Sequence, residues 1–361
     1  MGGRGPSALE KYLSCPFAFY LRYVLGLEVP DEPDESLTIE PVDLGSLAHE
    51  ILQAAYAAAL AGDSSAFGGD PSALGGGEPS AAGVLAVLDK VAAAAFARAE
   101  ARGLTGFPLS WRVLADGLLA DLRHVVETDP CWHDGLVPAR FEWWFGGEDR
   151  RTNRLVVDAV GNGNAVGNGN SVGDGAAAGR DAAAGATASA STGALPELRL
   201  GGRVVRFHGR IDRIDRSADG RAVRLVDYKT GKGASEAARV RQGRDVQLPV
   251  YVLALLAGGE APEQIVAEYR LVRRRSGFKT LPLSGDTDAI REQLVATLEV
   301  ALAGIEGGLF PRWPARECEY CDAADSCGAD RVIFALKRRD PRLRALLGFK
   351  EPAKSGRGGA S

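Results

Sequence analysis

The feature that most constrains the fold is a pair of predicted β-strands that place charged side chains where a core would need apolar ones. The first strand spans residues 206–215, and an Asp-Gly turn joins it to a second strand at 222–228. Alternation along the second strand places Asp227 and Lys229 on one face and Tyr228 on the other. Because buried charges are costly unless they are paired or bind a metal, the pattern indicates either a solvated surface hairpin or a functional site.

Asp212 contributes a second carboxylate from the first strand, where Ile211 and Ile214 flank it. Two carboxylates beside the Lys229 ammonium suit a hard divalent cation, since such ions prefer oxygen ligands and usually retain water. In that arrangement the lysine can orient one of those waters or help to deprotonate it. The alternative is a surface hairpin that carries a solvated Asp–Lys pair.

Composition narrows the class of protein. An apolar fraction of 45% is ordinary for a globular protein, and 361 residues suffice for one large domain or two modest ones. The net charge of −4 excludes a protein that is basic throughout, so a polyanion would be bound by local patches or by metal. No signal peptide opens the chain and no apolar run reaches about 18–20 residues. We therefore expect a cytoplasmic protein with no membrane contact.

Two short helices are predicted at the N-terminus, and Cys15 lies at their junction. Ser7 and Glu10 have the spacing of a capping box, which predicts the start of the first helix. Pro16 cannot continue that helix comfortably but suits the first position of a second one. Taken alone, Cys15 is typical of a small buried apolar residue.

An alanine-rich helix is predicted from about Asp43 to Ala61, with His49 in its first turns. A lone histidine on a helix is usually a packed or surface residue, although the preceding Gly45 allows close approach of another backbone and so favours a site. Apolar periodicity predicts the other elements. Helices are expected at 81–102, 109–128, 247–257 and 285–306, and strands at 140–145, 154–159 (extending the previous strand after a turn), 198–200 and 265–272.

Polar residues at two places after the hairpin also suggest a site. Gln247 and Tyr251 are four residues apart, so they share one face of a predicted helix and can contact a site together. The alternative is an exposed glutamine beside a tyrosine whose ring packs on apolar surface. A basic turn suited to phosphate contacts contains Arg273, Arg274, Arg275 and Lys279.

The sharpest local signal is a cysteine cluster, Cys318-x2-Cys321-x5-Cys327. Three thiolates this close in sequence predict a bound metal, and Cys15 is the best candidate for a fourth ligand. Four thiolates fit either zinc or an iron–sulfur cluster, and their spacing alone does not choose between the two.

Three segments have a composition that buries little apolar surface. Residues 62–80 are rich in Gly, Ser, Pro and Ala and are predicted to form a loop. Residues 160–194 are low-complexity Gly, Asn, Ala and Ser, which predicts a disordered insertion, and 350–361 are predicted to form a disordered tail.

Together these motifs resemble the RecB-family, or AddB-type, branch of the PD-(D/E)XK nuclease superfamily. The resemblance covers about residues 5–335 apart from the insertion at 160–194, and its landmarks occur here in the family order. It implies a restriction-endonuclease-like α/β fold, in which helices flank a central mixed β-sheet and a four-cysteine cluster joins the N-terminal helices to the C-terminal segment. The landmarks are Ser7–Phe17, Gly45–His49, Gly209–Asp215, Asp227–Gly231, Gln247 with Tyr251, and the three-cysteine cluster.

The resemblance also implies a role for each motif residue. Lys229 would be catalytic, and Gln247 and Tyr251 would lie beside the active site. Isoleucine rather than proline precedes the first carboxylate, which departs from the superfamily's name but agrees with this branch. A 4Fe-4S cluster would be held by Cys15, Cys318, Cys321 and Cys327. Mg²⁺ or Mn²⁺ would be bound by His49, Asp212, Asp227 and the Tyr228 carbonyl.

The implied function is metal-dependent hydrolysis of DNA that leaves a 5′-phosphate, as an exonuclease in repair or recombination, with a helicase subunit as a partner. Two alternatives remain: a nuclease-fold module that binds DNA or a helicase without cutting, and a zinc-stapled binding protein. The chain has no Gly-x4-Gly-Lys-Ser/Thr phosphate loop, so we expect no ATP hydrolysis. It is either a stand-alone nuclease or a piece of a longer helicase–nuclease.

Overall fold

The structure is a computed structural model. It describes residues 6–27, 37–61, 80–146, 155–159, 196–283, 285–315, 318, 321, 323–328 and 331–350. The predicted loop at 62–80, except for residue 80, the predicted insertion at 160–194, and the predicted tail beyond residue 350 lie outside the described residues.

The long helices begin and end close to the positions that periodicity predicts, and the first helix begins at Pro6, one residue before the predicted cap Ser7. Ser80 caps the helix that begins at Ala81 by accepting a hydrogen bond from the Gly83 backbone N–H, and Asp286 caps the helix that begins at Thr287 in the same way from Ala289. The described helices are α1 (Pro6–Ser14), α2 (Pro16–Phe19, continued by a π-helical turn at Tyr20–Val24), α3 (Pro41–Ala61), α4 (Ala81–Ala101), α5 (Pro108–Glu127), α6 (Ala234–Arg241), α7 (Gln247–Ala257), α8 (Thr287–Glu306), α9 (Ala324–Cys327), α10 (Arg331–Lys337) and α11 (Arg344–Lys350).

The strands form a central mixed sheet and a smaller antiparallel one. The strands are β1 (Leu136–Phe145), β2 (Leu155–Ala159), β3 (Glu197–Leu200), β4 (Arg203–Phe207), β5 (Gly209–Ser217), β6 (Ala222–Lys229), β7 (Gln264–Leu271) and β8 (Thr280–Pro282). The central sheet has the order β1-β5-β6-β7-β8, in which β6 and β7 are parallel and the other neighbours are antiparallel. The smaller sheet has the order β2-β4-β3.

Two strand predictions are wrong. The single strand expected at 206–215 is interrupted at His208, so that β4 pairs with β2 and β3 while β5 pairs with β1 and β6. The segment at 155–159 does not extend β1 but pairs with β4 in the smaller sheet. Both errors have one cause: alternation predicts that a segment is extended, but not which strand it finds as a partner.

Helices cover both faces of the central sheet, as expected for this fold class. Along β6, Leu225 packs into a cluster with residues of α1, α7 and α8, whereas Val226 packs into a second cluster with α3, α4 and α5. This alternation buries the strand on both sides, as in sheets enclosed by helices. None of the described helices is both long enough and apolar enough to span a bilayer.

A buried network of charged side chains fixes β5 against its neighbours on the α3–α5 side. Arg213 is fully buried, and its guanidinium lies 2.5 Å from both Asp215 Oδ1 and Asp129 Oδ2. It also donates to the Tyr228 hydroxyl, and Arg270 Nη1 reaches Asp129 at 2.6 Å. Because removing one member would leave a buried charge unpaired, this network holds the strands that carry the site in register.

Candidate active site

Asp227 and Lys229 lie on one face of β6 at its end, and Tyr228 lies on the other. Lys229 Nζ is 2.6 Å from Asp227 Oδ2, and the Asp227 side chain is almost completely buried. The Tyr228 hydroxyl accepts a hydrogen bond from Arg213 on the opposite face. The alternation read from the sequence is therefore confirmed at these positions, and the pair is not a solvated surface pair.

Asp212 reaches the same point from β5. Its Oδ2 accepts a hydrogen bond of 2.8 Å from the Tyr228 backbone N–H and lies 3.4 Å from His49 Nδ1. Burial would raise the pKa of Asp212, but the His49 charge and hydrogen bond, followed by the Tyr228 N–H, lower it below its usual value. Asp212 is thus held as a carboxylate in a buried position.

His49 approaches both strands from α3. Its Nε2 lies 2.8 Å from the Tyr228 carbonyl oxygen, on the opposite side of the ring from Asp212. Burial lowers the pKa of His49, but the neighbouring Asp212 outweighs that effect and the net shift is upward. A side chain at Gly45 would begin 3.3 Å from Thr230 Oγ1, so this glycine lets α3 approach the end of β6 closely.

The two aspartates differ in their charge environment. Burial raises the pKa of Asp227, and the nearby Asp212 adds to that shift, whereas Lys229 opposes it. Asp227 Oδ2 accepts no well-directed hydrogen bond, although the Lys229 ammonium is close. A buried carboxylate oxygen without such a bond, beside a second carboxylate, is a position that a divalent cation would stabilise.

Helix α7 holds Asp227 and Lys229 in place. Gln247 Nε2 donates to Asp227 Oδ1 at 2.8 Å, while Gln247 Oε1 accepts from Lys229 Nζ at 3.1 Å. The Tyr251 hydroxyl donates to Asp227 Oδ1 at 2.9 Å. The shared helical face predicted for Gln247 and Tyr251 is thus turned toward the two charged residues of β6.

Glu142 on β1 belongs to this cluster and was not identified from the sequence. A carboxylate oxygen of Glu142 and ligand atoms of His49 and Asp212 all lie within 4.8 Å of one another. Burial raises the pKa of Glu142 to about 7. The charge of Arg210 lowers this pKa and the charge of Asp212 raises it further, but burial is the largest effect. The signal in the sequence is a lone acid within the aromatic strand 141–145, and no motif marks it.

The predicted basic turn lies beside the end of β6, but its residues have different partners. Arg275 Nη2 donates to the Thr230 carbonyl, which follows directly after Lys229. Arg273 is largely buried and pairs with Asp121 of α5 at 2.7 Å. Phosphate binding by Arg273, Arg274, Arg275 and Lys279 therefore stays a prediction, and the paired Arg273 is the member least available for it.

The four predicted cluster ligands line one cavity of about 200 Å³, formed by Cys15, Cys318, Cys321 and Cys327 with Phe17 and Trp313. All are free thiols. Burial raises the pKa of the Cys327 thiol, and the other three cysteines add to the shift although Arg312 opposes it. Several thiolates gathered around one cavity repel one another unless a cationic group binds between them.

Comparison with known proteins decides the family. The sequence profile described as the PD-(D/E)XK nuclease superfamily matches residues 5–328. The chain belongs to this superfamily. The mixed sheet with its flanking helices is the restriction-endonuclease-like fold of the PD-(D/E)XK nucleases, as the sequence predicted.

Two curated relatives of this PD-(D/E)XK chain carry the same name, which describes a subunit of an ATP-dependent helicase/deoxyribonuclease. The protein from Acetivibrio thermocellus is 24% identical over 260 residues, which are 71% of this chain and 18% of that protein. The protein from Clostridium acetobutylicum is 48% identical over 46 residues, which are 13% of this chain and 4% of that protein. The chain therefore spans less than a fifth of the length of these relatives.

Proposed function

We propose that this PD-(D/E)XK domain is a deoxyribonuclease that hydrolyses phosphodiester bonds with the help of Mg²⁺ or Mn²⁺. The observation that carries the proposal is that His49 contacts both Asp212 and the Tyr228 carbonyl, while Asp227 and Lys229, which flank Tyr228 on β6, pair with each other. Imidazole nitrogen, carboxylate and carbonyl oxygens fit such an ion. The family and the printed names of the two relatives support the same reaction.

The proposed cation would be held by His49, Asp212, Asp227 and the Tyr228 carbonyl. A divalent ion bound there lowers the pKa of water and offsets negative charge on the scissile phosphate. The Tyr228 side chain is held by a hydrogen bond from Arg213 to its hydroxyl. This bond limits the movement of β6 at Tyr228, so the carbonyl ligand has little freedom to move. His49 would release its proton on binding, because only the neutral imidazole is a ligand.

Lys229 would act on the water and the phosphate. Its ammonium is held between Asp227 Oδ2 and Gln247 Oε1, and burial lowers its pKa less than the charge of Asp227 raises it. The lysine is therefore charged as it stands. We propose that it orients the attacking water and stabilises the negative charge that develops on the phosphate during cleavage.

The test is a nuclease assay on the Asp212→Ala and Lys229→Ala variants with Mg²⁺ or Mn²⁺. We expect both to lose at least about 100-fold in activity, since each removes a group that stabilises the transition state. Asp219→Ala and Lys232→Ala are matched controls, because both residues are exposed near the same hairpin. Activity retained by folded Asp212→Ala and Lys229→Ala would overturn the proposal, and DNA binding without cleavage by the wild type would favour the non-catalytic alternative.

We further propose that the enzyme is an exonuclease that processes DNA ends in repair or recombination, with a helicase subunit as its partner. The names of the two relatives support a helicase-associated role. The substrates of the same assay test the mode: end-labelled linear DNA and circular DNA, each single- and double-stranded, with product ends checked for a 5′-phosphate. Cleavage of the circular substrates would show an endonuclease instead.

For the cysteine cavity we propose a structural 4Fe-4S cluster. The four thiols line one cavity, and the resemblance to the AddB-type branch favours a cluster there over a single zinc ion. Iron and sulfide analysis of anaerobically purified protein tests this, and zinc alone would exclude the cluster.

We also propose that the protein is cytoplasmic, because free thiols are typical of that compartment.

A further inference from the structure

Glu142 lies where a further ligand of the proposed cation would be. Its side chain is 15% exposed, and its carboxylate forms one group with His49 and Asp212. Resting on the nuclease function proposed above, we propose that Glu142 is an additional protein ligand of the divalent cation. Glu142 would reach the ion from β1, which lies on one side of β5 in the sheet, whereas β6, which carries Asp227, lies on the other side.

The backbone of β1 departs from regular strand geometry at this residue. Glu142 has a φ of 49°, in the left-handed region that is unfavourable for a side chain other than glycine, asparagine or aspartate. In the pairing of β1 with β5, Phe141 pairs with Arg213 and Trp143 pairs with Ile211. The residues between these pairs are Glu142 on β1 and Asp212 on β5, and they are not paired with each other in the ladder. Glu142 therefore lies opposite Asp212 at a break in the ladder. Strain of this kind persists only where the surrounding structure imposes it.

Charge balance gives an independent reason for a cation at this point. Asp212, Asp227 and Glu142 bring three carboxylates to a largely buried region, where Asp227 Oδ2 has no well-directed hydrogen bond. Lys229 is already held by Asp227 and Gln247. Buried carboxylates are costly unless each is paired or binds a metal. A cation between Glu142 and Asp212 would offset the negative charge that Lys229 does not neutralise.

Arg210 offers the competing explanation, namely that Glu142 is only its ion-pair partner. Arg210 Nη1 pairs with Glu142 Oε2, and its guanidinium also lies over the Trp144 ring, 5.5 Å from the centroid. This pairing uses one carboxylate oxygen, and a carboxylate has two. We assign Arg210 a positioning role: it would hold one oxygen and leave the other free to bind the cation.

The experiment measures Mn²⁺ binding to the full chain by calorimetry, after dialysis to remove divalent ions. We expect Glu142→Gln to weaken binding by at least about tenfold, because an amide replaces an anionic ligand. Glu142→Asp gives a second variant in case the first does not fold. Aspartate tolerates positive φ better and withdraws the carboxylate by one methylene, so we expect weaker binding with the fold kept.

Two other variants separate the possible outcomes. Glu260→Gln is a matched control, since Glu260 also pairs with arginines of β1 and β5, and it should keep wild-type affinity. Arg210→Ala removes the residue that positions Glu142 but keeps the carboxylate, so it should weaken Mn²⁺ binding by less than Glu142→Gln does; a loss equal to that of Glu142→Gln would show that Glu142 acts only through the arginine.

The result also distinguishes this inference from the proposed function. If Asp212→Ala weakens Mn²⁺ binding but folded Glu142→Gln and Glu142→Asp bind as wild type does, the role of Glu142 is overturned and the nuclease proposal stands. If the wild type shows no Mn²⁺ binding that depends on Asp212, the metal site itself is wrong.

Discussion

Burial changes the acid–base behaviour of Glu10, which lies on α1 outside the proposed metal site. One of its carboxylate oxygens is buried without a hydrogen-bond partner, and Arg239 is 3.6 Å from the other. Burial raises the pKa of Glu10 to about 7, because the desolvation of the carboxylate outweighs the attraction of Arg239. The native state therefore prefers the protonated acid.

This preference predicts a pH dependence of stability. The folded pKa is higher than the unfolded one, so the contribution of Glu10 is complete at low pH and is lost as the pH rises through about 7. From about pH 5 to about pH 8, the wild type should lose up to about 3 kcal/mol relative to Glu10→Gln. Urea unfolding at both pH values measures this, with Glu127→Gln, exposed at the end of α5, as the control for net charge. Parallel curves for wild type and Glu10→Gln would contradict the prediction.

At the scale of whole elements, the packing of α1 against α8 depends on Gly304. The Tyr12 side chain is fully buried and donates its hydroxyl proton to the Leu309 carbonyl at 2.9 Å. A Cβ at Gly304 would lie 1.9 Å from the Tyr12 hydroxyl oxygen and 2.8 Å from ring carbon Cζ. Since α1 ends next to Cys15, this contact positions the helix that leads into the cysteine cavity.

Alanine substitutions at two helical glycines test this contact. Gly304→Ala should destabilise the protein by about 1–3 kcal/mol, because Tyr12 must move and lose its hydrogen bond. Gly117→Ala in α5 has no heavy atom within 4 Å of the new Cβ and should stabilise by about 0.5–1 kcal/mol through helix propensity. Chemical denaturation measures both, and a gain in stability for Gly304→Ala would refute the tight packing.

Across the whole molecule, the two ends of the described chain meet at the cysteine cavity. Cys15 comes from the N-terminal helices and the other three cysteines from residues 318–327, so a cluster bound there would close a loop of about 300 residues. Lys350 adds a second link, since its Nζ donates to the Ser14 carbonyl at 2.5 Å. Cross-links between distant positions stabilise most, because they remove the most freedom from the unfolded chain.

Cys15→Ser should therefore release the proposed cluster and lower the free energy of unfolding by several kcal/mol. Iron content and the thermal midpoint of the purified variant are the measurements. Cys131→Ser is the control for iron content, because Cys131 is buried beside Asp129, away from the cavity. Full iron content in folded Cys15→Ser would remove Cys15 from the ligand set.

The helices and the main site motifs could be predicted because their signals are local. Periodicity placed α4, α5, α7 and α8 within about two residues of their observed ends. Alternation placed Asp227 and Lys229 on one face of β6, and helical spacing placed Gln247 and Tyr251 together. The metal and cluster roles of these motifs stay predictions.

Tertiary structure alone decided the features that depend on distant partners. The interruption at His208 and the place of β2 in the smaller sheet follow from which strands pair. Glu142 joins His49 and Asp212 only because β1 lies beside β5, and Glu10 titrates unusually only because other elements bury it. A sequence states which side chains a segment presents, whereas burial and pairing depend on what the rest of the chain packs against them.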